Sequence, residues 1–86
     1  MVLEKAYQLI LRNDNKNDYL YVIACLMRIC GHTAEQAEQC AVITHNVGRC
    51  SIKTGDYLHM LEMENDLIVL NLDVELEQYE GDLHQR

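Results

Sequence analysis

The segment "LILRNDNKNDYLYVI", from Leu9 to Ile23, changes its hydrophobic period halfway along. Its first part has the composition of a β-strand, and we predict a strand from Ala6 to Leu11. A run of polar residues, Asn13–Asp18, follows, and the apolar residues after it recur at helical spacing. The segment therefore indicates a strand that passes through one short polar loop directly into an amphipathic helix.

The first predicted helix begins after Asp18, a suitable N-cap residue, and ends at Gly31. Its apolar residues recur at intervals of three and four and form one stripe. They are Tyr19, Val22, Ile23, Leu26, Ile29 and Cys30. This spacing predicts a helix that buries one face.

The second predicted helix lies in "HTAEQAEQCAVITHNVG", His32–Gly48. Thr33 and Gln36 have the spacing of a capping box, and Gly48 suits the left-handed backbone conformation that commonly ends a helix. One face consists of small residues together with one imidazole: Ala34, Ala37, Cys40, Ala41, Thr44 and His45. We expect another element to pack closely on this face.

The remaining chain predicts a strand, a helix and a last strand. "RCSIK", Arg49–Lys53, alternates polar and apolar residues, and Asp56 is a candidate cap for a helix that carries Tyr57, Met60, Leu61, Leu67 and Ile68. In "NLDVELEQ" the apolar Leu72, Val74 and Leu76 alternate with Asp73, Glu75 and Glu77. Arg49 and Lys53 would face those acids if the two strands were neighbours.

The order of elements is therefore β-α-α-β-α-β. Three short strands cannot bury themselves, so we predict an α+β fold, a two-layer sandwich in which three helices cover one face of a three-stranded antiparallel sheet. The 86 residues form one domain, 1–86, with a core at about 7–78 and a tail, 79–86, that is expected to fray.

Composition excludes several classes of protein. A net charge of −7 without a basic cluster disfavours nucleic acid and anionic membranes as partners. No apolar run is long enough to span a bilayer, and "MVLEKAYQ" lacks the features of a signal peptide, so we expect a cytoplasmic protein.

No enzyme signature, cofactor motif or metal-ligand spacing is visible, so we expect no catalytic residue, cofactor or metal. Cys25, Cys30, Cys40 and Cys50 contain no C-x-x-C pair and are typical of small buried hydrophobic residues. Cys40 and His45 are roughly 140° apart on their helix, too far for a thiolate–imidazole pair. A small metal or redox protein using Cys40, Cys50 and His45 is the alternative from another class.

The polar loop and His45 can meet if the first two helices pack side by side. A lone histidine on an apolar face is more often a core residue bonded to a carbonyl, and a polar loop is more often only a connector. Together, however, they would offer carboxamide, carboxylate and imidazole acceptors beside a cleft made by Tyr19, Val22, Ala41 and Thr44. Such a site suits the three donors of a peptide's α-ammonium group.

These residues resemble ClpS, the family of adaptors that deliver N-degron substrates to the Clp AAA+ unfoldase and its peptidase. The family's loop begins Asn-Asp-Asp, here "NDN" at Asn13, Asp14 and Asn15, followed after one residue by Asn17. Its second helix carries M-L-x-V-H-x-x-G, here "AVITHNVG", Ala41–Gly48. The segment from Cys30 to Cys50 is most similar to the Bacteroidetes-type branch, and the resemblance covers about residues 7–78.

The resemblance implies a non-enzymatic adaptor that docks the N-terminal domain of a ClpA- or ClpC-type ATPase. It assigns binding of the substrate's α-amino group to Asn13, Asp14, Asn15 and His45. It assigns the side-chain pocket to Asn17, Tyr19, Val22, Ala41, Thr44 and Leu72.

Several pocket positions depart from the family's usual residues. Asn15 replaces a second loop acid, Ala41 and Tyr19 replace methionines, and Thr44 replaces a valine. We expect these changes to reshape the cleft. They leave open an alternative in which a ClpS-like module regulates the ATPase without binding N-degrons.

Overall fold

A computed structural model of the chain describes residues 6–13 and 16–79. Its elements are β1 (Tyr7–Arg12), α1 (Tyr19–Cys30), α2 (Ala34–Val47), β2 (Arg49–Gly55), α3 (Tyr57–Val69) and β3 (Val74–Gln78). The predicted α+β class and element order are confirmed, and each predicted helix is present. The first strand begins and ends one residue later than predicted. No helix in the described ranges has the length and hydropathy needed to cross a bilayer.

The sheet is antiparallel and has the order β2-β1-β3. The central strand β1 is also the most apolar one, and Leu9, Ile10 and Leu11 are all buried. A strand covered on both faces reads as a continuous apolar run, which explains why the predicted alternation in this segment is imperfect. The strands β2 and β3 are not neighbours, because β1 separates them.

The core lies between the sheet and the three helices. Leu9 from β1, Leu26 from α1 and Leu67 from α3 are fully buried at its centre. Around them lie Leu11, Cys25, Cys30, Ala37, Ile52, Met60, Leu72 and Val74. Because all three helices contribute to this cluster, they cover the same face of the sheet, as predicted. Cys25 and Cys30 behave here as small hydrophobic residues.

Helix ends follow the predicted local chemistry in most places. Thr33 and Gln36 form both hydrogen bonds of the capping box, and the Asp56 side chain accepts a hydrogen bond from the His59 N–H at 3.2 Å. Gly31 and Gly48 have φ angles of 71° and 105°, in the left-handed region. The α3 stripe is narrower than predicted, because Ile68 and Tyr57 are exposed and only Met60 and Leu67 are buried.

The face of the sheet opposite the helices, which we call the open sheet face, carries polar side chains that bond to one another. They are Gln8, Arg12, Arg49, Asp73, Glu75 and Glu77. Arg12 forms ion pairs with Asp73 and Glu75, and Arg49 reaches across β1 to Glu77 at 2.7 Å. Lys53 does not join them. The register irregularity between Leu9 and Ile10 places it opposite Leu9, and its Nζ donates to the Cys30 carbonyl at 3.2 Å.

The predicted tail divides at the limit of the described residues. Tyr79 is not frayed, because its N–H donates to the Ala6 carbonyl at 2.8 Å and continues the pairing of β1 with β3. The rest of the tail, from Glu80 to Arg86, lies outside the described residues.

Candidate functional site

A cavity of about 480 Å³ opens between the end of β1, the start of α1 and the end of α2. This volume falls within the range typical of small-ligand pockets. The wall consists of Leu11, Arg12, Asn13, Asn17, Asp18, Tyr19, Val22, Ala41, Thr44 and His45. Every one of these residues lies between Leu11 and His45, so the strand–loop–helix segment and α2 build the site together.

The connection between α1 and α2 explains why distant residues meet here. Only residues 31–33 separate the two helices, and a connection that short makes them antiparallel neighbours. The first turn of α1, with Tyr19 and Val22, therefore lies beside the last turns of α2, with Ala41, Thr44 and His45.

Gly48 joins the polar loop to α2. Its N–H donates to the Thr44 carbonyl at 2.9 Å and closes the helix, while its own carbonyl accepts the Asn13 N–H at 3.0 Å. The positive φ of Gly48 turns the chain so that both bonds can form. Asn13 is thereby bonded to a residue that lies three positions after His45, and both Asn13 and His45 line the same cavity.

The other end of the loop is held by the turn between α3 and β3. The Asn17 Nδ2 donates to the Asn71 carbonyl at 2.8 Å, and the Lys16 Nζ lies 3.4 Å from the Asn71 Oδ1. Asn71 has a φ of 72°, the one positive φ at a non-glycine residue in the described ranges. Asparagine tolerates this conformation better than most residues. The turn thus fixes the loop where it enters α1.

Seven of the predicted site residues line this one cavity: Asn13, Asn17, Tyr19, Val22, Ala41, Thr44 and His45. Asp14 and Asn15, to which we assigned contacts with the amine, lie outside the described residues. Asn13 of the polar loop and His45, more than thirty positions apart in sequence, do converge.

Leu72 does not line the cavity, and its predicted place in the pocket is corrected. It is buried in the core, where its N–H donates to the Leu67 carbonyl at 3.0 Å. Because α3 ends at Val69, the chain turns back at Asn71 and Leu72 is bonded to the last turns of that helix.

Asp18 is a cavity residue that the sequence analysis interpreted only as a helix cap. It does occupy the N-cap position of α1, but its carboxylate makes no capping hydrogen bond, and the residue is part of the cavity wall. Its sequence position between Asn17 and Tyr19, both assigned to the pocket, was the available signal. Leu11 and Arg12 were also missed, although the Arg12 guanidinium is committed to Asp73 and Glu75.

At the rim of the cavity, the acceptor atoms of the polar side chains have no hydrogen-bond donor bound to them from the described part of the chain. The side chains of Asn13 and His45 are exposed and have no hydrogen-bond partner within the described residues. His45 is therefore not the carbonyl-bonded core histidine that the apolar pattern of α2 also allowed. Together with the Asp18 carboxylate, these groups form a rim that can receive the donors of a cationic ligand.

The thiols lie elsewhere. Cys40 and Cys50 line a separate cavity between α2 and β2 that does not include His45. Burial raises the pKa of Cys30 to about 11 and that of Cys40 to about 12, the Cys50 thiol adding to the latter shift. Both therefore stay protonated at neutral pH, whereas nucleophiles and metal ligands need thiolates. Within residues 6–13 and 16–79, no group of three His, Cys, Asp or Glu side chains is arranged to hold a metal.

Comparison with known proteins gives a matching family model and solved structures of similar fold. The family model described as "ATP-dependent Clp protease adaptor protein ClpS" matches residues 3–71. The structure of Agrobacterium tumefaciens ClpS2 bound to L-phenylalaninamide superposes with a TM-score of 0.83 at 13% sequence identity, covering 90% of this chain and 100% of that one. That likeness shows the shared fold.

No curated protein sequence resembles the chain closely enough to count as a match. The family model, however, spans most of the chain and includes every residue of the cavity wall. The family is one of protease adaptors and not of enzymes, which agrees with the lack of a catalytic signature in the sequence. The chain therefore belongs to the ClpS family of ATP-dependent Clp protease adaptor proteins.

Proposed function

We propose that the chain binds the free amino terminus of N-degron substrates in this cavity and delivers them to a Clp AAA+ unfoldase and its peptidase. The observation that carries the proposal is the unpaired acceptor pair, Asn13 and His45, at the rim of an open cavity whose inner wall is mostly apolar. Family membership supports the same function.

The chemistry of the rim matches an α-ammonium group. Such a group has three donors and no acceptor, and its reference pKa near 7.7–8.0 keeps most of it charged at neutral pH. The Asn13 carboxamide oxygen and a His45 ring nitrogen can supply two acceptors, and a carboxylate supplies opposite charge. Asp14 and Asn15 follow Asn13 directly and belong to the proposed amine site, while Asp18 adds a carboxylate to the wall.

The inner wall matches the first side chain of the substrate. Val22 and Ala41 provide apolar surface, and Tyr19, 40% exposed, flanks the entrance, with Asn17 and Thr44 completing the proposed pocket. Burying a Leu- or Phe-sized side chain contributes about 1.5–3 kcal/mol, and each hydrogen bond to the charged amine contributes about as much again. The ligand of the similar ClpS2 structure, L-phenylalaninamide, has both a free amine and an apolar ring, which supports this assignment.

The partner that receives the substrate is, in this proposal, the N-terminal domain of a ClpA- or ClpC-type ATPase. The cavity does not involve β2, α3 or β3, so those elements remain available for docking while a peptide is bound.

His45→Ala tests the amine site. We expect the affinity for a fluorescent peptide with a free N-terminal leucine to fall more than tenfold, because one donor of the ammonium group loses its acceptor. His59→Ala is the matched control, since His59 is an exposed histidine of α3 outside the cavity wall. Acetylating the peptide's amine should abolish binding to the unmodified protein. Unchanged affinity in His45→Ala, with the control behaving alike, would refute the assignment.

The alternative, a ClpS-like module that regulates the ATPase without binding N-degrons, rests on the small Ala41 and on Asn15. Ala41 widens the cavity instead of closing it, and an open cavity with unpaired acceptors favours the binding function. A peptide array over all twenty first residues separates the two. The regulator would retain no first residue above background, whereas the adaptor would retain a defined subset.

A further inference from the structure

Thr44 is the single buried polar side chain among the residues that the structure describes. It is 5% exposed, yet it lines the cavity from α2, one turn after the equally buried Ala41. Buried polar groups normally have hydrogen-bond partners, so the partners of this hydroxyl decide what the inner wall can accept.

The proton of the Thr44 hydroxyl is already engaged in a hydrogen bond within the protein. Its Oγ1 donates to the Cys40 carbonyl at 2.7 Å, the common back-bond of a threonine within a helix. A hydroxyl has one proton and two acceptor lone pairs. With the proton committed, the oxygen can only accept, and no donor within the described residues reaches it. The cavity wall therefore includes one buried hydroxyl oxygen with unused acceptor lone pairs.

The residues of the cavity wall differ in solvent exposure. Asn13, Asp18 and His45 are exposed and form the rim, whereas Ala41 and Thr44 are buried and form the floor. Ala41 has only a methyl group, so space remains beside Thr44. A cavity of about 150 Å³ already holds a benzene ring, and this one has about 480 Å³. A ring held by its backbone amine at the rim can thus reach the floor.

We infer that Thr44 makes this cavity select tyrosine over phenylalanine as the first residue of its substrate, by accepting the phenol proton on Oγ1. The inference rests on the proposed function and adds the substrate class. A tyrosine hydroxyl buried without a partner is penalised, and here it has one, while phenylalanine leaves the acceptor lone pairs of the Thr44 oxygen unused. A neutral hydrogen bond of this kind corresponds to about a three- to tenfold preference.

The test combines a change in the ligand with a matched change in the protein. Two peptides that differ only in Tyr or Phe at the first position are titrated against the unmodified protein, Thr44→Val and Thr44→Ser. Thr44→Val keeps the shape of the side chain and removes the acceptor, and Thr44→Ser keeps the acceptor. We expect a three- to tenfold preference for Tyr in the unmodified protein and in Thr44→Ser, and a ratio of one or below in Thr44→Val.

Thr54→Val is the control, because Thr54 is an exposed threonine of β2 outside the cavity wall. The inference is overturned if the unmodified protein binds Tyr and Phe equally, a result that needs no variant to fold. It is also overturned if Thr44→Val keeps the Tyr preference.

A third peptide, beginning with leucine, separates this inference from the proposed function. If the leucine peptide binds and acetylation of its amine abolishes binding, the proposed function stands whatever the Tyr-to-Phe ratio shows. If no peptide with a free amine binds, both the proposed function and the selectivity are wrong.

Discussion

The open sheet face and the cavity rim are both rich in polar side chains, but among residues 6–13 and 16–79 these side chains are paired on the open sheet face and unpaired at the rim. On the open sheet face the charges are paired: Arg12 with Asp73 and Glu75, and Arg49 with Glu77, which also accepts from Gln8 at 3.3 Å. At the rim, Asn13, Asp18 and His45 have no side-chain partner within the described residues.

This difference separates stability from binding. A polar side chain that is already paired within the protein has little left to offer a ligand, whereas an unpaired one exchanges water for ligand donors. Changes on the open sheet face, apart from Arg12, which also lines the cavity, should therefore alter the free energy of unfolding and leave peptide affinity alone. Changes at the rim should lower peptide affinity and leave the free energy of unfolding nearly unchanged.

The largest effect is expected beneath the open sheet face, at Ile10. In the sheet register Arg49 lies opposite Arg12, and Glu77 lies opposite Gln8. The ion pair between Arg49 and Glu77 therefore crosses over Ile10, which is only 2% exposed. Ile10→Ala should lower the free energy of unfolding by about 2–5 kcal/mol in urea denaturation, with unchanged affinity for a leucine peptide. Ile68→Ala, at a residue 51% exposed, should cost about 0.5 kcal/mol or less. Equal costs for the two variants would show that the paired charges do not bury Ile10.

The next effect concerns the rim. Asn13→Ala should weaken binding of a peptide with a free amine by about tenfold or more, because the carboxamide acceptor is lost. The free energy of unfolding should change little, since the backbone bond from the Asn13 N–H to Gly48 is retained. Asn46→Ala is the matched control, at an exposed asparagine of α2 next to His45 but outside the cavity wall. A loss of stability as large as that of Ile10→Ala would break the separation between the two regions.

Much of the fold could be predicted because its signals are local. The Thr33–Gln36 capping box, the helix ends at Gly31 and Gly48, and the three helical periods each depend on residues within a few positions of one another. The short connection between α1 and α2 then brings the loop and His45 together without further information. For the cavity this was sufficient to predict most of its wall.

The remainder depends on contacts between distant parts of the chain. Strand order is such a property: the sequence showed acids in β3 and bases in β2, but not that β1 lies between them. Leu72 was assigned to the pocket but is absent from the cavity wall, and Asp18 was predicted only as the N-cap that it is, although it also lines the cavity. The length of α3 decides where Leu72 lies, and a free N-cap carboxylate has the same sequence pattern as one that caps its helix.

The smallest effect is expected for the ion pair itself. Arg49→Met keeps an apolar stem over Ile10 and removes the charge, so its melting temperature should fall less than that of Ile10→Ala.

The hydrogen bond from Arg49 holds the pKa of the Glu77 carboxyl below its ordinary 4.5. A carboxyl whose pKa is lower in the folded state contributes stability above its ordinary pKa and loses it as the pH falls through the folded value. The difference in melting temperature between the unmodified protein and Arg49→Met should thus be full near pH 7 and shrink below about pH 4.5. A difference that stays constant down to pH 3 would mean that Arg49 stabilises the sheet through its stem alone, and peptide affinity near pH 7 should be unaffected in either case.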